Sequence, residues 1–204
     1  MHRGDRLGTP KQCHPVIKHS VYFPQLAARR MASCGSDDVP GSRREKNSGR
    51  SAGSEIDAQH MLAACKLAHE CEPVKTAYNV GAVLLDAEGE VIGTGFSREL
   101  PGNTHAEQCA LAKAAEKGHD AAGGTMFSSM EPCSTRLSGN ESCTSRLISA
   151  KVARVVLAAM EPATFVQCKG VELLQASGIQ VDIYTDDEVL QLVQSANAHI
   201  GAHS

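Results

Sequence analysis

His105-Ala106-Glu107, Pro132-Cys133 and Cys143 supply one imidazole, one carboxylate and two thiols in a short part of the chain. That set can hold zinc. A catalytic zinc ion keeps three protein ligands and leaves its fourth position to water. The ion lowers the pKa of that water toward neutrality, so a nucleophilic hydroxide is available at ordinary pH. His105, Cys133 and Cys143 are the candidate ligands. Glu107, two residues past His105, is the candidate proton carrier, near the metal without ligating it. The chemistry this group would perform is hydrolysis. The competing reading is that lone cysteines are small buried hydrophobes, so the surrounding elements must decide.

Those elements favour a metal site. Thr104 to Leu111 opens an alanine-rich helical stretch, with Thr104 or Asn103 as its cap. Pro132-Cys133 follows a strand-like run from Thr125 to Ser129, and Cys143 opens a helical run to Lys151. A thiolate at a helix N-terminus is stabilised by the helix dipole. Cys109 could share a helix face with His105. A fourth ligand would close the site to water, so packing is the better role for it. His60, His69, His119 and His199 have no partners at ligand spacing.

Periodicity supplies the remaining elements. Ile56 to His69 has helical spacing of apolar residues. Val80 to Leu85 and Val91 to Phe96 read as two strands joined by a hairpin turn at Ala87-Glu88-Gly89-Glu90. A helix from His105 to Lys117, a strand near Met126 and the helix from Cys143 follow. Val152 to Ala158 reads as a buried strand, Gly170 to Ala176 as a helix and Ile179 to Tyr184 as a strand. Asp186 or Asp187 caps a last helix through Ser195. Alternating strands and helices after a hairpin predict an α/β fold of three layers, α/β/α, around a mixed sheet of five strands.

Charge divides the chain. Residues 1–54 carry a net charge of +6 and residues 55–204 a net charge of −9. The first segment is rich in Ser, Gly and Arg, cannot offset its ordering entropy, and is expected to be a disordered basic extension. Residues 55–204 are expected to form the catalytic domain. The basic start reads as a plain tail, as a weak organelle or nuclear address, or as sequence ahead of a true start at Met31. An acidic body argues against nucleic acid as partner, because polynucleotide binding needs a basic face. No apolar run reaches the roughly 18 residues of a membrane span. The cysteines lack the spacing of a secreted disulfide scaffold, so the cytoplasm is the expected compartment.

The pattern His-x-Glu … Pro-Cys-x-x-Cys marks zinc deaminases of nucleobases. This chain matches it except that nine residues, not two, separate Cys133 from Cys143. From about Val80 to Tyr184 it resembles the cytidine and deoxycytidylate deaminase superfamily. Within that superfamily, Thr94 to Leu111, Glu131 to Cys143 and Met160 to Val166 resemble the fungal riboflavin-pathway (DRAP) deaminases, whose branch carries a long insert between the zinc cysteines. The resemblance implies a zinc-dependent deaminase of 2,5-diamino-6-ribitylamino-4(3H)-pyrimidinone 5′-phosphate, a phosphorylated small molecule. It also implies a stand-alone enzyme, without the reductase domain of bacterial relatives, and a possible homodimer. The alternatives are a cytidine or deoxycytidylate deaminase, and a non-catalytic zinc-stabilised subunit. An intact Glu107 speaks against the last.

The same resemblance implies substrate contacts. Asn79 stands where the family places a polar contact to base or sugar; a turn former is the other reading. Gly81 either lets the backbone approach the ring or simply packs. Backbone groups near Ser129 and Glu131 would line the pocket. The phosphate needs a cation, for which Arg98 and Arg136 are preferred over Arg146, Lys151 and Lys169.

Overall fold

The computed structural model describes residues 52–162, 168–184 and 186–201. The basic extension expected over residues 1–54 lies outside them, save for the three residues that begin the first helix. That helix, α1, runs Ala52–Leu67 and ends in a 3-10 turn at Ala68–Glu70. Strands β1 (Gly81–Leu85) and β2 (Val91–Phe96) form an antiparallel hairpin. Asp86 closes its turn, accepting from the Glu88 and Glu90 backbone N–H groups. Then follow α2 (Ala106–Glu116), β3 (Thr125–Ser128), α3 (Cys143–Ser149), β4 (Arg154–Leu157), α4 (Gly170–Ala176) and β5 (Gln180–Ile183). Helices α5 (Asp187–Ala196) and α6 (Ala198–Gly201) close the described chain.

The sheet order is β2-β1-β3-β4-β5. β1 is antiparallel to both neighbours, while β3, β4 and β5 are parallel. The alternation expected of strands is present, with both faces buried. Ala82, Leu84, Met126 and Val155 face one layer, packing with Ala106, Ala110, Leu147 and Leu174 of α2, α3 and α4. Val83, Leu85, Phe127 and Val156 face the other, against Met61, Ala64, Val189 and Val193 of α1 and α5. This is the three-layer α/β/α arrangement with a mixed five-stranded sheet that the sequence predicts. The chain has no tryptophan, and among the described residues the largest fully buried side chain is Phe127.

Two glycines set how tightly the helices sit. A Cβ on Gly95 of β2 would lie 2.2 Å from the Ala106 carbonyl oxygen at the start of α2. A Cβ on Gly81 of β1 would lie 2.1 Å from the Ala64 oxygen of α1. In both cases the Cβ would meet backbone, which cannot yield by a side-chain rotation.

Candidate metal centre and cleft

The centre forms where α2 and α3 begin and where β3 ends. His105 is the N-cap residue of α2, with extended backbone angles and no side-chain cap bond. This corrects the expected cap. Thr104 is occupied elsewhere: its Oγ1 accepts from Leu100 N–H and donates to the Leu100 carbonyl. Freed from capping, the His105 ring meets the two thiols. Its Nδ1 lies 3.4 Å from Cys133 Sγ and 3.4 Å from Cys143 Sγ. Cys143 is the first residue of α3, whose cap is Ser142, accepting from Ser145 N–H. The Cys143 backbone N–H donates to Cys133 Sγ at 3.3 Å. Thr144 ties the two cysteine loops together, its Oγ1 bonding the Pro132 and Cys133 carbonyls.

These atoms fit zinc. Tetrahedral bonds of about 2.0 to 2.3 Å place neighbouring N and S ligand atoms roughly 3.5 Å apart. His105, Cys133 and Cys143 offer one atom each, all within 4.8 Å of one another. Two thiolates and one imidazole is a donor set suited to zinc and leaves a fourth position. A hydrogen bond from Cys143 lowers the Cys133 pKa to about 4, against the cost of burial. The same bond, with burial, pushes Cys143 up. Metal binding requires both sulfurs as thiolates, so it is linked to proton release. Cys109 is buried and bonds Thr104 Oγ1, outside the ligand group.

Glu107 lies in the first turn of α2 with 3% of its surface exposed. Burial raises its pKa, and the neighbouring Cys133 thiolate pushes the same way; His105 opposes both. Ser128, the last residue of β3, places its Oγ 3.1 Å from Glu107 Oε1. A buried carboxyl with a raised pKa, two residues from His105, is suited to take and give a proton.

A cleft of about 180 Å³ opens beside this group, lined by His105, Glu107 and Cys133 at its base. Its walls come from Thr76 to Tyr78, from Arg98 and Asn103, and from Thr135 to Ser138, with Glu131 and Glu161 at one side. Leu137 in the insert between the cysteines is 87% exposed. Arg136, in the same insert, donates to Gln108 Oε1 at 2.9 Å and to the Asn103 carbonyl.

The expected substrate residues separate here. Arg136 lines the cleft. Arg98 does too, but its guanidinium bonds the Tyr78 and Glu72 carbonyls and Asn79 Oδ1. It holds φ at 66°, in the left-handed region, which costs a non-glycine residue roughly 1 to 2 kcal/mol. Asn79 is 2% exposed and absent from the lining; its Nδ2 donates to the Ala196 carbonyl. Gly81 packs against α1 rather than facing the cleft, and its N–H donates to Ser129 Oγ. Arg146 pairs with Glu141 at 3.3 Å, away from the lining. Lys151 and Lys169 are also absent from it.

Residue-by-residue reading of the sequence passed over Ser128 and Glu161. Ser128 carried no signal beyond its place at the end of a strand. For Glu161 there was one: Glu131-Pro132 follows β3 and Glu161-Pro162 follows β4, so one dipeptide marks the end of two adjacent parallel strands. Glu131 is buried, its carboxylate accepting from the Val171 and Glu161 backbone N–H groups. Burial raises the Glu161 pKa.

Among the described residues no helix is long and apolar enough to cross a membrane. A family profile described as the cytidine and deoxycytidylate deaminase zinc-binding region matches residues 54–159. A diaminohydroxyphosphoribosylamino-pyrimidine deaminase of Schizosaccharomyces pombe is 47% identical over 125 residues, 60% of this chain and 31% of that protein. The riboflavin biosynthesis protein RibD of Aquifex aeolicus is 38% identical over 138 residues, 66% of this chain and 36% of that protein. The chain thus spans about a third of the length of these curated relatives. The crystal structure of Aspergillus oryzae Rib2 deaminase in complex with DARIPP superposes with a TM-score of 0.59 and 28% identity. That match covers 72% of this chain and 94% of the other. With the profile spanning both cysteine loops and the helix that carries His105 and Glu107, the chain belongs to the cytidine and deoxycytidylate deaminase zinc-binding family.

Proposed function

We propose that this chain hydrolyses the amino group from 2,5-diamino-6-ribitylamino-4(3H)-pyrimidinone 5′-phosphate, giving 5-amino-6-ribitylamino-uracil 5′-phosphate and ammonia. The observation that carries this reading is the buried Glu107 carboxyl, which lines one cleft with His105 and Cys133 of the His105, Cys133 and Cys143 ligand group. The relatives named above support the choice of pyrimidine. In the reading, residues 55–204 are the catalytic domain and residues 1–54 a basic extension.

His105, Cys133 and Cys143 would hold the zinc, which would supply Lewis-acid activation of a water at neutral pH. Glu107 does the proton work. Its carboxylate takes one proton from the attacking water as the water oxygen bonds the ring carbon, and delivers it to the ring nitrogen. It then takes the second proton from the added hydroxyl and passes it to the amine; the carbon–nitrogen bond breaks, the oxygen stays as the carbonyl and ammonia leaves. Ser128 holds the carboxyl in place through these transfers. Arg136 meets the substrate phosphate from the cysteine insert. Gln108 and Asn103 fix its guanidinium plane and leave further N–H donors for an anion. Arg98 and Asn79 shape the wall, and Gly81 sets its distance from α1. A reducing, cytoplasmic setting is part of the proposal, since it keeps Cys133 and Cys143 available to the metal. A homodimer is the proposed assembly, which light scattering in solution tests.

Ammonia release from the zinc-loaded protein decides the substrate. The diaminopyrimidinone phosphate is compared with cytidine and deoxycytidylate. Turnover of a cytosine nucleotide alone would keep the Glu107 chemistry and overturn the substrate.

A further inference from the structure

The wall of the cleft at Ala77 to Asn79 belongs to no helix or strand. The Ala77 N–H keeps a local bond to the Val74 carbonyl, but the three carbonyls have side-chain partners from elsewhere in the chain. The Ala77 carbonyl accepts from His199 Nε2 at 3.2 Å. The Tyr78 carbonyl accepts from Arg98 Nη1 at 3.3 Å. The Asn79 carbonyl accepts from Asn197 Nδ2 at 3.1 Å, and the Asn79 N–H donates to Asn197 Oδ1 at 2.7 Å. One side-chain amide therefore pairs with both backbone groups of Asn79, as a neighbouring strand would. The Asn79 side chain returns the contact, donating to the Ala196 carbonyl. Its oxygen faces Arg98, which has only donors to offer.

Asn197 is itself held. It is the C-cap residue of α5, and its Nδ2 also donates to the Val193 carbonyl one turn back. The helix is anchored by Val189 and Val193 against the sheet. So three consecutive carbonyls of the wall are fixed by three side chains, two of them from the α5–α6 junction. Ala77 and Tyr78, two of the residues so fixed, line the cleft.

We infer that Asn197 and His199 are positioning residues for the substrate: they hold the Ala77–Asn79 wall, and with it Arg98, in the conformation that receives the pyrimidine. They act through the wall and not on the reacting atoms. His105, Glu107 and the cysteines are carried by other elements, so loosening the wall changes how substrate is held and leaves proton transfer intact. A peptide segment without secondary structure gains little from its own bonds. Its geometry is set from outside, and binding to a loosened wall must supply the ordering entropy that the clamp now supplies.

The inference rests on the proposed deaminase reading, so two measurements are paired. Steady-state kinetics on the diaminopyrimidinone phosphate should show the Michaelis constant of Asn197→Ala raised about 10-fold, with kcat within about 2-fold and zinc content unchanged. Asn197→Asp keeps the oxygen for the Asn79 N–H and loses the donor, and should fall between. His199→Ala should show a smaller rise. Hydrogen exchange, read on the full chain, needs no turnover. The Asn79 amide should be slow in the wild-type protein and fast in Asn197→Ala, with amides of α2 unchanged.

Fast exchange at Asn79 with an unchanged Michaelis constant would overturn the inference, since a free wall would then bind as well as a held one. Equal loss of kcat with loss of zinc would overturn it too, as the mark of a general folding defect. If the wild-type protein turns over no pyrimidine, the deaminase reading fails and the substrate half of the inference falls with it. The exchange comparison then decides the clamp alone.

Discussion

Ser128 Oγ lies 3.1 Å from Glu107 Oε1 and 2.7 Å from the Met130 carbonyl oxygen. A serine hydroxyl has one hydrogen. When that hydrogen goes to Met130, the contact with Glu107 requires a proton on the carboxyl. When the carboxyl is charged, the hydrogen turns to it. Ser128 can therefore follow Glu107 through both protonation states without moving. Ser128→Ala should lower kcat about 10-fold while zinc stays bound. Glu107→Ala should lower it by about 100-fold or more, the range of a general acid–base group. If the double variant were no slower than Glu107→Ala, the two would act as one unit; additive losses would separate them.

Gly81 and Gly95 should respond differently to alanine. Each new methyl group meets a carbonyl oxygen of a helix backbone. Overpacking of this kind costs about 1 to 3 kcal/mol, or a melting temperature lower by several degrees in a chain of this size. For Gly81 the displaced element is α1, so thermal stability should fall while zinc affinity holds. For Gly95 it is the first turn of α2, next to His105 and Glu107, so zinc affinity should fall as well. Melting curves and metal titration on both variants check the contrast.

Cys65 of α1 gives a pH test away from the metal. Burial, and then the charge of Asp186, push its thiol up to about 12. The folded value is raised above the ordinary one, so the thiol favours the folded state while it stays protonated. That contribution is whole below pH 9 and is lost as pH rises toward 12. Maleimide labelling of Cys65 at pH 8 should occur only through unfolding, at a rate that follows denaturant. Labelling as fast as a free thiol would contradict this.

Arg136 is the cation that faces the cleft from the cysteine insert. Arg136→Ala should raise the Michaelis constant for the phosphorylated pyrimidine by about 10-fold or more. The same change should have little effect on the dephosphorylated compound, whose affinity never used the charge. Equal losses on both substrates would assign Arg136 to the shape of the insert.

The sequence carried much of the fold because the relevant signals are local. Alternation in Ala82 to Leu85 and again in Val155 and Val156 marks strands buried on both faces, and the structure places each set as the period requires. Ser142 before Cys143 and Asp186 before Asp187 are helix starts that side-chain chemistry dictates, and both cap as such residues do. The Thr104 cap failed for an equally physical reason: its hydroxyl satisfies Leu100 first, leaving the start of α2 to His105.

The metal group was legible because zinc accepts few residue types and the chain offers them in order. What the sequence could not reveal are bonds between segments that share no period. Asn79 meets Asn197, Arg136 meets Asn103 and Ser128 meets Glu107 only once the sheet and helices have packed. Gly81 read as a residue letting backbone approach substrate or as one that simply packs; a Cβ there would lie 2.1 Å from the Ala64 carbonyl oxygen, so it packs against α1. Residue types determined which chemistry is possible here. Tertiary packing decided which groups are within hydrogen-bond reach of one another, because that reach is about 3 Å and no spacing along an unfolded chain encodes it.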